Sequence, residues 1–449
     1  MTTITSRLAI LPFLALVGAT TVPVNDIDIR TCAPRIPAPL QRHSRFTCPL
    51  TLDDVSAQAR GPSSWSPWTH LPVCTEAKEP GFEKIEVKDH GENDDGEDDD
   101  DEEEEQDEDE DTPQTRFCVY TNNRHGIGGL SIVTTPETAS ASMGIWDESL
   151  PQPLEMAANT SLAYEIIDIP GRGKGVVAAR KIKQYEAFMV DYAALVVDLR
   201  VAGGSVERNE GYRLLQAAAD QVSDPQRVLG LAQTSTAARH PVENVLRSNA
   251  FHTALGAEGD EHMALFPDLA RINHDCRPNA FPRFLPHSLA VNVAAARDIV
   301  PGEEITISYI PLGQTRIARQ KALLRWEFVC KCPLCAASEA DIEASDARLT
   351  RIDELREKVA EAVDHRYSST RAEKKAALET IRDLFPRLYE EDLFTAYSEQ
   401  YASIARLYWA LGDHGQAQFY AQRSLDVLAD QGFIAEADRD KVHLLMRTF

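Results

Sequence analysis

The stretch "ARINHDCRPNAF", residues 270–281, is strongly polar although it lies between the apolar segments "LFPDLA" and "FLPHSLAVNV". Seven consecutive positions hold six polar or reactive residues: Asn273, His274, Asp275, Cys276, Arg277 and Asn279. Such a concentration of polar side chains between apolar segments indicates a functional site. The Cys276 thiol in it raises the question of which other cysteines it could join.

Further along the chain, "CKCPLC" supplies a C-x-C-x-x-C pattern of three thiols in one short loop. A structural zinc ion prefers four ligands, and Cys276 is the other cysteine of this half of the chain. The pattern predicts a closed zinc site that pulls the loop after "TRIARQKALLRW" back onto Asn273 and His274, and holds Trp326 and Phe328 there. The alternative is a disulfide between Cys276 and one loop cysteine, which leaves two neighbouring thiols that pair badly. The predicted ligands are Cys276, Cys330, Cys332 and Cys335.

The amino terminus has the form of a signal peptide. "MTTITSR" precedes the apolar run "LAILPFLALVGA", which ends at residue 19 and is too short to span a bilayer. We expect residues 1–19 to be a leader to the secretory pathway or the extracellular space; the alternative is an ordinary apolar terminus of a cytoplasmic or nuclear protein. Four cysteines follow in a loop-rich region and could form two disulfides in any of three connectivities, or stay independent thiols. They are Cys32, Cys48, Cys74 and Cys118.

The formal net charge of −25 is concentrated in one segment. Residues 92–111 contain 17 Asp or Glu and no Lys or Arg, so the remaining chain carries only −8. A run of this kind repels itself and buries little, so residues 91–112 are expected to form a disordered linker; binding of a basic partner is the alternative. The sequence has no basic stripe suited to nucleic-acid phosphates, and we expect no direct nucleic-acid binding.

Hydrophobic patterning predicts an α+β region followed by helices. Residues 20–90 are rich in Pro and Ser and are expected to be irregular, residues 113–160 to form a strand-rich flank, and residues 161–310 to form the α+β domain. Within that domain, "GYRLLQAAAD" and "ENVLRSNAFHTAL" predict a helical insert at about 200–265. Residues 311–336 form the predicted zinc loop, and residues 337–449 a helical domain.

The helical domain has two separate signals. One amphipathic helix is predicted by apolar residues that step by three and four: Leu349, Ile352, Leu355, Val359 and Val363. A second set has the helix-turn-helix spacing of one tetratricopeptide repeat: Tyr401, Ile404, Ala405, Tyr408, Gly412, Ala417, Ala421 and Leu425. One repeat cannot bury its own core, so it should stack on the preceding helices; an ordinary helical bundle is the alternative.

Five motifs occur in a characteristic order: "GRGKGVVAARKI", "SNAF", "NHDCRPNA", "GEEITISY" and "WEFVCKCPLC". In order and spacing they resemble the SET-domain protein-lysine methyltransferases, in the branch with a post-SET zinc loop and a tetratricopeptide-like C-terminal domain. The resemblance covers about residues 164–335 and implies a β-clip fold of short strands. No Cys and His cluster lies between Asp198 and Asn249, so the MYND zinc finger of the best-known animal members is absent. The leader and the N-terminal cysteines resemble fungal SET proteins with signal peptides.

The resemblance implies a role for each motif residue. It assigns Tyr309 as the catalytic tyrosine, Trp326 to the lysine channel, and Phe328 to stacking on the adenine of S-adenosylmethionine. The polar residues Asn249, Asn273 and His274 would contact that cofactor. The glycine-rich turn would bind the methionine portion and the adenosine through Arg172, Gly173, Lys174, Gly175 and Val176.

The chemistry of lysine methylation agrees with these roles. A free lysine has a pKa of about 10.4, so supplying the neutral amine at pH 7 costs about 4.6 kcal/mol. Desolvation in an apolar channel and the nearby sulfonium charge both favour loss of the proton. Tyr309 would then orient the amine in a near-attack geometry, with the reacting atoms about 3–3.5 Å apart.

The sequence therefore predicts S-adenosylmethionine-dependent methyl transfer to a lysine of a histone or non-histone protein, with a structural zinc ion. The expected partner is a protein with an accessible lysine, and the chain is expected to be a monomer without a membrane span. Two alternatives remain at this point. The chain could be a catalytically silent SET scaffold that acts as an interaction module, or a secreted, disulfide-bonded interaction protein.

Overall fold

The computed structural model describes residues 67–77, 115–142, 163–232, 238–256, 260–285, 288–364 and 369–431, residues 442 and 447, and two short strands near the amino terminus. The expected leader, the acidic linker at 91–112, Cys32 and Cys48 lie outside the described residues. The two short strands, β1 (Ile27–Asp28) and β2 (Ala33–Pro34), pair antiparallel within a unit that spans Met1–Thr69. Everything below concerns the second unit, His70–Phe449.

Short strands and helices alternate through the first two thirds of this unit, and helices follow. The strands are β3 (Val73–Glu76), β4 (Arg116–Asn122), β5 (Leu130–Thr134), β6 (Tyr164–Ile169), β7 (Gly173–Ala178), β8 (Ala187–Tyr192), β9 (Leu195–Asp198), β10 (Phe251–Leu255), β11 (Asp260–Leu265), β12 (Asn273–His274), β13 (Ala280–Leu285), β14 (Ala290–Ala295) and β15 (Glu304–Ile307). The helices are α1 (Pro136–Ala141), α2 (Leu199–Ala202), α3 (Arg208–Gln221), α4 (Pro225–Leu229), α5 (Pro241–Asn249), α6 (Arg316–Leu323), α7 (Glu339–Val363), α8 (Arg371–Glu390), α9 (Tyr397–Leu411) and α10 (His414–Gln431). The predicted α+β class is confirmed.

Three sheets build the strand region. One has six strands in the order β10-β11-β9-β5-β4-β3, one has four in the order β12-β15-β7-β6, and one has three in the order β13-β14-β8. In the second sheet, β12 pairs parallel with β15, so Asn273 faces Thr306 and His274 faces Ile307. This pairing brings the "NHDC" segment beside "GEEITISY", two motifs that are about 30 residues apart in sequence.

The amino-terminal edge of the six-stranded sheet carries a covalent cross-link. Cys74 of β3 and Cys118 of β4 lie opposite each other in the register and form a disulfide. One of the pairs allowed by the three predicted connectivities is therefore present. Helix α3 packs against these strands, where Arg213 Nη2 donates to the carbonyl of Cys74 at 2.8 Å.

The predicted helical insert is too long at its carboxyl end. Helices α3, α4 and α5 occupy most of it, but the prediction of helix through "FHTAL" is wrong, because Phe251–Leu255 is a strand. It pairs antiparallel with β11, which also lies inside the predicted insert. A short apolar run cannot be assigned to helix or strand by periodicity alone, and here pairing with a later segment decides.

The carboxyl-terminal helices bury the predicted apolar stripe. Four of its members in α7, Leu349, Ile352, Leu355 and Val359, are buried. The first three share one core cluster, and Val363 packs against a second cluster that contains Val359. Val359 shares that core with Ile381 of α8 and Leu407 of α9. The hairpin between α9 and α10 turns at Gly412, whose φ of +87° suits glycine. Its assignment as a tetratricopeptide repeat stays a prediction.

None of the helices in the described ranges combines the length and the apolarity needed to cross a bilayer.

Candidate active site

A glycine-rich turn between β6 and β7 forms one wall of the site. Gly171 and Gly173 have φ values of +74° and +69°, which side-chain-bearing residues rarely adopt. Gly175 has a different constraint, because a Cβ there would lie 2.5 Å from Ile169 Cγ1 and 2.8 Å from Asn273 Nδ2. The absence of a side chain at Gly175 therefore lets Asn273 approach the strand backbone.

Arg172 fastens this turn to the "NHDC" segment. Its Nη1 donates to Glu304 Oε2 at 2.7 Å, and its Nη2 donates to the carbonyl of His274 at 2.7 Å. Asn273 Nδ2 donates to the other oxygen of Glu304 at 2.9 Å and to the carbonyl of Lys174 at 3.2 Å. Glu304, which we did not single out from the sequence, is thus the common acceptor of two predicted site residues.

The His274 side chain connects the tyrosine with the thiol cluster. Its Nδ1 accepts from the backbone N–H of Tyr309 at 3.1 Å, so Nε2 carries the proton and donates to Cys276 Sγ at 3.2 Å. Burial lowers the pKa of His274 to about 4, so the ring is neutral. Both ring nitrogens therefore form hydrogen bonds within the protein, and the His274 ring holds the Tyr309 backbone and the Cys276 thiol in position.

Tyr309 lies just beyond β15 in an aromatic environment. Its hydroxyl donates to the carbonyl of Ile272 at 2.7 Å, and its ring centroid is 5.3 Å from His274 and 5.4 Å from Trp326. Burial raises the pKa of Tyr309 to about 12. The hydroxyl is therefore protonated at neutral pH and fixed in direction.

The four predicted ligand cysteines form one cluster. Their Sγ atoms all lie within 4.8 Å of one another, with Cys276 3.6 Å from Cys335 and 3.9 Å from Cys330. The four thiols are free rather than paired in disulfides. Hydrogen bonds among the thiols lower the pKa of Cys332 and Cys335 and raise the pKa of Cys276 and Cys330. A compact set of four cysteine sulfurs can hold a metal ion.

The chain between α6 and this cluster places two aromatic rings against the site. Trp326 Nε1 donates to the carbonyl of Ser248 at 3.0 Å, which joins the loop to the end of α5. Glu327 takes a left-handed conformation with φ of +57°, and Phe328 follows with its ring centroid 6.2 Å from that of His274. Phe328 remains 38% exposed. The loop thus places Trp326 beside Tyr309 and Phe328 beside His274.

Two cavities meet at this point. A smaller one of about 840 Å³ is lined by Arg172, Gly173, Lys174, Asn273, His274 and Phe328. A larger one of about 1320 Å³ extends along α3 and α5. Both include the same seven residues at their junction: Arg247, Ser248, Asn249, Ala270, Tyr309, Arg325 and Trp326.

All but two of the predicted catalytic, channel and cofactor-binding residues line one or both cavities. Val176 is fully buried in β7 opposite Ile305, and Gly175 is buried next to it in the same strand. Of the predicted zinc ligands, Cys330 and Cys332 line the smaller cavity and the other two line neither cavity. Asn249 is at the junction, where its Nδ2 donates to the carbonyl of Val245 at 2.9 Å. Sequence reasoning missed Arg247 and Arg325, although each flanks a quoted motif, one before "SNAF" and one before "WEFVCKCPLC".

Comparison with known proteins agrees with this geometry. The SET domain family matches residues 173–310. The chain carries a SET domain. This confirms the resemblance inferred from the motifs. The matched range begins at Gly173, the end of the glycine-rich turn, and includes Asn273, His274 and Tyr309.

Relatives of the SET domain are named as lysine methyltransferases. The chain is 43% identical over 81 residues to histone-lysine N-methyltransferase set5 of Schizosaccharomyces pombe, a match covering 18% of this chain and 25% of that protein. It is 36% identical over 97 residues to N-lysine methyltransferase SMYD2-B of Danio rerio, covering 21% and 22%. It is 44% identical over 85 residues to protein-lysine N-trimethyltransferase SMYD5 of Homo sapiens, covering 18% and 20%. The matches thus span a quarter or less of these relatives, and they show the kind of domain rather than the activity of the whole chain.

Proposed function

We propose that the chain transfers a methyl group from S-adenosylmethionine to a lysine side chain of a protein. The observation that carries the proposal is the junction of the two cavities at Tyr309, Trp326 and Asn249. One cavity has the size of a nucleoside-containing cofactor, and the other is long enough for a polypeptide segment. A reaction between the two ligands would take place where the cavities meet.

The smaller cavity suits the cofactor. When bound, S-adenosylmethionine supplies an electrophilic methyl group on a positively charged sulfur. Asn273 can lie at the wall of this cavity because Gly175 has no side chain. Glu304, which is paired with Arg172, fixes Asn273 there. Phe328 presents a partly exposed ring that can cover an adenine.

The residues around Tyr309 suit the amine. The proposed channel is lined by the rings of Tyr309 and Trp326, which desolvate an incoming lysine and favour its neutral form. The Tyr309 hydroxyl, fixed on the carbonyl of Ile272, can orient the amine. Because burial keeps the pKa of Tyr309 near 12, its role is positioning and not proton removal at neutral pH.

We propose zinc as the ion of the thiol cluster, with a structural role. Four cysteine sulfurs leave no ligand position for water, as in structural zinc sites. The same unit also contains the disulfide between Cys74 and Cys118. Four adjacent thiols in a chain that forms a disulfide are protected from oxidation when a metal ion holds them.

We also infer that the protein matures in an oxidising compartment, which would agree with the leader-like amino terminus. The disulfide supports this, since such bonds persist mainly in secreted proteins and in the secretory pathway. Alkylation of the natively produced protein before reduction, followed by mass spectrometry, should leave Cys74 and Cys118 unmodified. Modification of both cysteines would contradict the inference.

The first test is calorimetric titration of S-adenosylmethionine into the purified chain, with zinc measured on the same sample by elemental analysis. Saturable binding with one zinc per chain, followed by incorporation of labelled methyl groups into protein lysines, is the expected result. Binding of zinc without any binding of the cofactor would show a silent SET scaffold and overturn the proposal.

A further inference from the structure

The larger cavity is lined by four exposed arginines. Arg208 at the start of α3 and Arg239 just before α5 are exposed and line the larger cavity but not the smaller one. Arg247 and Arg325 add two exposed cations at the junction of the cavities. Within the described part of the chain, none of the four forms an ion pair. On the basis of this cluster we propose that the methylated lysine lies in an acidic segment of the substrate protein, an inference that rests on the proposed function.

The carboxylates nearest to this rim are engaged elsewhere. Glu207 Oε2 accepts from the backbone N–H groups of Asn209 and Glu210 at 2.8 and 3.1 Å, where it caps α3. Glu243 Oε2 accepts from the hydroxyl of Tyr212 at 2.9 Å and from the backbone N–H of Arg239 at 3.1 Å. Neither carboxylate forms an ion pair with a guanidinium, and four arginines against two carboxylates give the lining of this cavity a net positive charge.

Other arginines of the same region contrast with this rim. Arg213, one and a half turns after Arg208 on α3, forms an ion pair with Glu210 at 2.7 Å, and Arg200 forms one with Asp198 at 2.7 Å. The chain as a whole has 71 acidic residues for 46 basic ones, so carboxylates are abundant. Arg325 lies over the Trp326 ring at 4.4 Å, and neither it nor the other three arginines forms an ion pair with a described residue. We infer that the counter-charges of this group come from a ligand.

A polypeptide fits this cavity better than a nucleic acid does. Apolar side chains line the same cavity, with Leu215, Phe251 and Met263 among them. Polypeptide side chains can fill such apolar walls, whereas a nucleic acid binds mainly through its charged backbone and would leave them uncovered. Salt screens charges beyond about 8 Å at physiological ionic strength, so the acidic residues of the bound substrate must lie close to the arginines.

The test measures binding and methyl transfer separately. Three fluorescent peptides share one central lysine and differ in flanking residues, which are acidic, neutral or basic. Fluorescence anisotropy on the full chain should give the tightest binding for the acidic peptide, with a preference that shrinks between about 50 mM and about 500 mM NaCl. In the transfer assay the same order should appear in kcat/KM, chiefly through KM.

Variants of the rim provide the control. Replacing both arginines in R208Q/R239Q should weaken binding of the acidic peptide roughly tenfold, as expected for the loss of two exposed ion pairs. The matched variant R371Q changes an exposed arginine at the start of α8, outside both cavities, and should keep wild-type affinity.

Each outcome has a distinct meaning. Equal binding of the three peptides, or an acidic preference that R208Q/R239Q retains, overturns this proposal and leaves the proposed function intact. Selective binding of the acidic peptide without methyl transfer overturns the proposed function and keeps the assignment of the surface. Equally tight, arginine-dependent binding of a DNA oligonucleotide overturns the choice of a polypeptide. In a further variant the acidic residues of 92–111 are replaced by Asn and Gln. A gain in its peptide affinity would show that the chain's own acidic segment binds the arginines, and would overturn their assignment to a substrate.

Discussion

Arg277, the residue after the cluster cysteine Cys276, donates through Nη2 to the buried carboxylate of Glu391 at the end of α8. Glu391 also accepts from Ser345 Oγ at 2.8 Å and from Arg348 Nε at 2.6 Å, both on α7. One carboxylate therefore ties the "NHDCRPNA" segment to two helices of the carboxyl-terminal domain. The helical domain is thereby coupled to the position of the thiol cluster.

Removal of this carboxylate should destabilise the protein. In E391Q the two arginines, which are about one third exposed, lose the buried carboxylate that they share, while Arg348 keeps Glu390 at 3.5 Å. We expect a loss of roughly 2 kcal/mol in the free energy of unfolding. Chemical denaturation measures it. The matched variant E379Q breaks an exposed pair with Arg382 at 2.7 Å and should cost less than about 0.5 kcal/mol. Similar costs for the two variants would contradict the coupling.

The tyrosine hydroxyl should matter far more for catalysis than for folding. Y309F removes a hydrogen bond to the carbonyl of Ile272, which should lower stability by about 1 kcal/mol. It should lower the methyl-transfer rate at least about 100-fold, because the amine loses its orientation. Y408F, on α9 outside the site, is the control and should keep the wild-type rate. A wild-type rate in Y309F would remove Tyr309 from the mechanism.

Adding one methyl group to the glycine-rich turn should disturb the cofactor wall. In G175A the new Cβ meets Ile169 and Asn273 at distances that neither can keep, so we expect a cost of about 1–3 kcal/mol in stability and weaker cofactor binding. G415A, near the start of α10, meets its nearest atom at 3.9 Å and should be neutral or slightly stabilising. Melting temperatures and calorimetric titration of both variants test this; unchanged cofactor affinity in G175A would show that Asn273 does not need its present position.

Loss of one cluster cysteine should release the aromatic loop. C332S should bind no zinc and should bind S-adenosylmethionine more weakly, because Trp326 and Phe328 are then no longer held against the site. The double variant C74S/C118S lacks the disulfide and should still bind one zinc. Zinc content by elemental analysis and cofactor affinity by titration test this in both proteins. If C332S kept wild-type cofactor affinity, the cluster would not be what holds the aromatic loop.

Acid should destabilise the protein through buried histidines, and His125 is the clearest case. Burial lowers the pKa of His125 to about 4, and its Nε2 donates to the carbonyl of Ser288 at 3.2 Å. Below a pH of about 6.5 the imidazole is protonated in the unfolded chain but stays neutral in the folded chain. The free energy of unfolding therefore falls as the pH falls towards 4. Between about pH 7 and about pH 5 we expect this histidine to contribute a loss of about 1–2 kcal/mol. Denaturation midpoints of wild type and H125Q should therefore converge at the lower pH; parallel curves would exclude His125 as the source.

Much of the site could be predicted from the sequence because its chemistry is local. The C-x-C-x-x-C loop specifies three thiols within six residues, and turn glycines mark the hairpin before β7. The partners of these segments are set by pairing between distant strands and helices, which local patterns do not contain. This is why Glu304, Glu391 and the strand at Phe251–Leu255 were missed. The same limit applies to His274, whose ring direction depends on where Tyr309 and Cys276 lie in space.

The disulfide at the edge of the six-stranded sheet is a second covalent link between the residues before and after the acidic segment. Cys74 and Cys118 are 44 positions apart, and Ala77 donates its N–H to the carbonyl of Thr115, so the two ends of the intervening segment meet. A protease cut anywhere in residues 78–114 would therefore leave both fragments attached, and β3 would stay on the sheet. On an electrophoresis gel the nicked protein would migrate as one species until a reductant separates it into two.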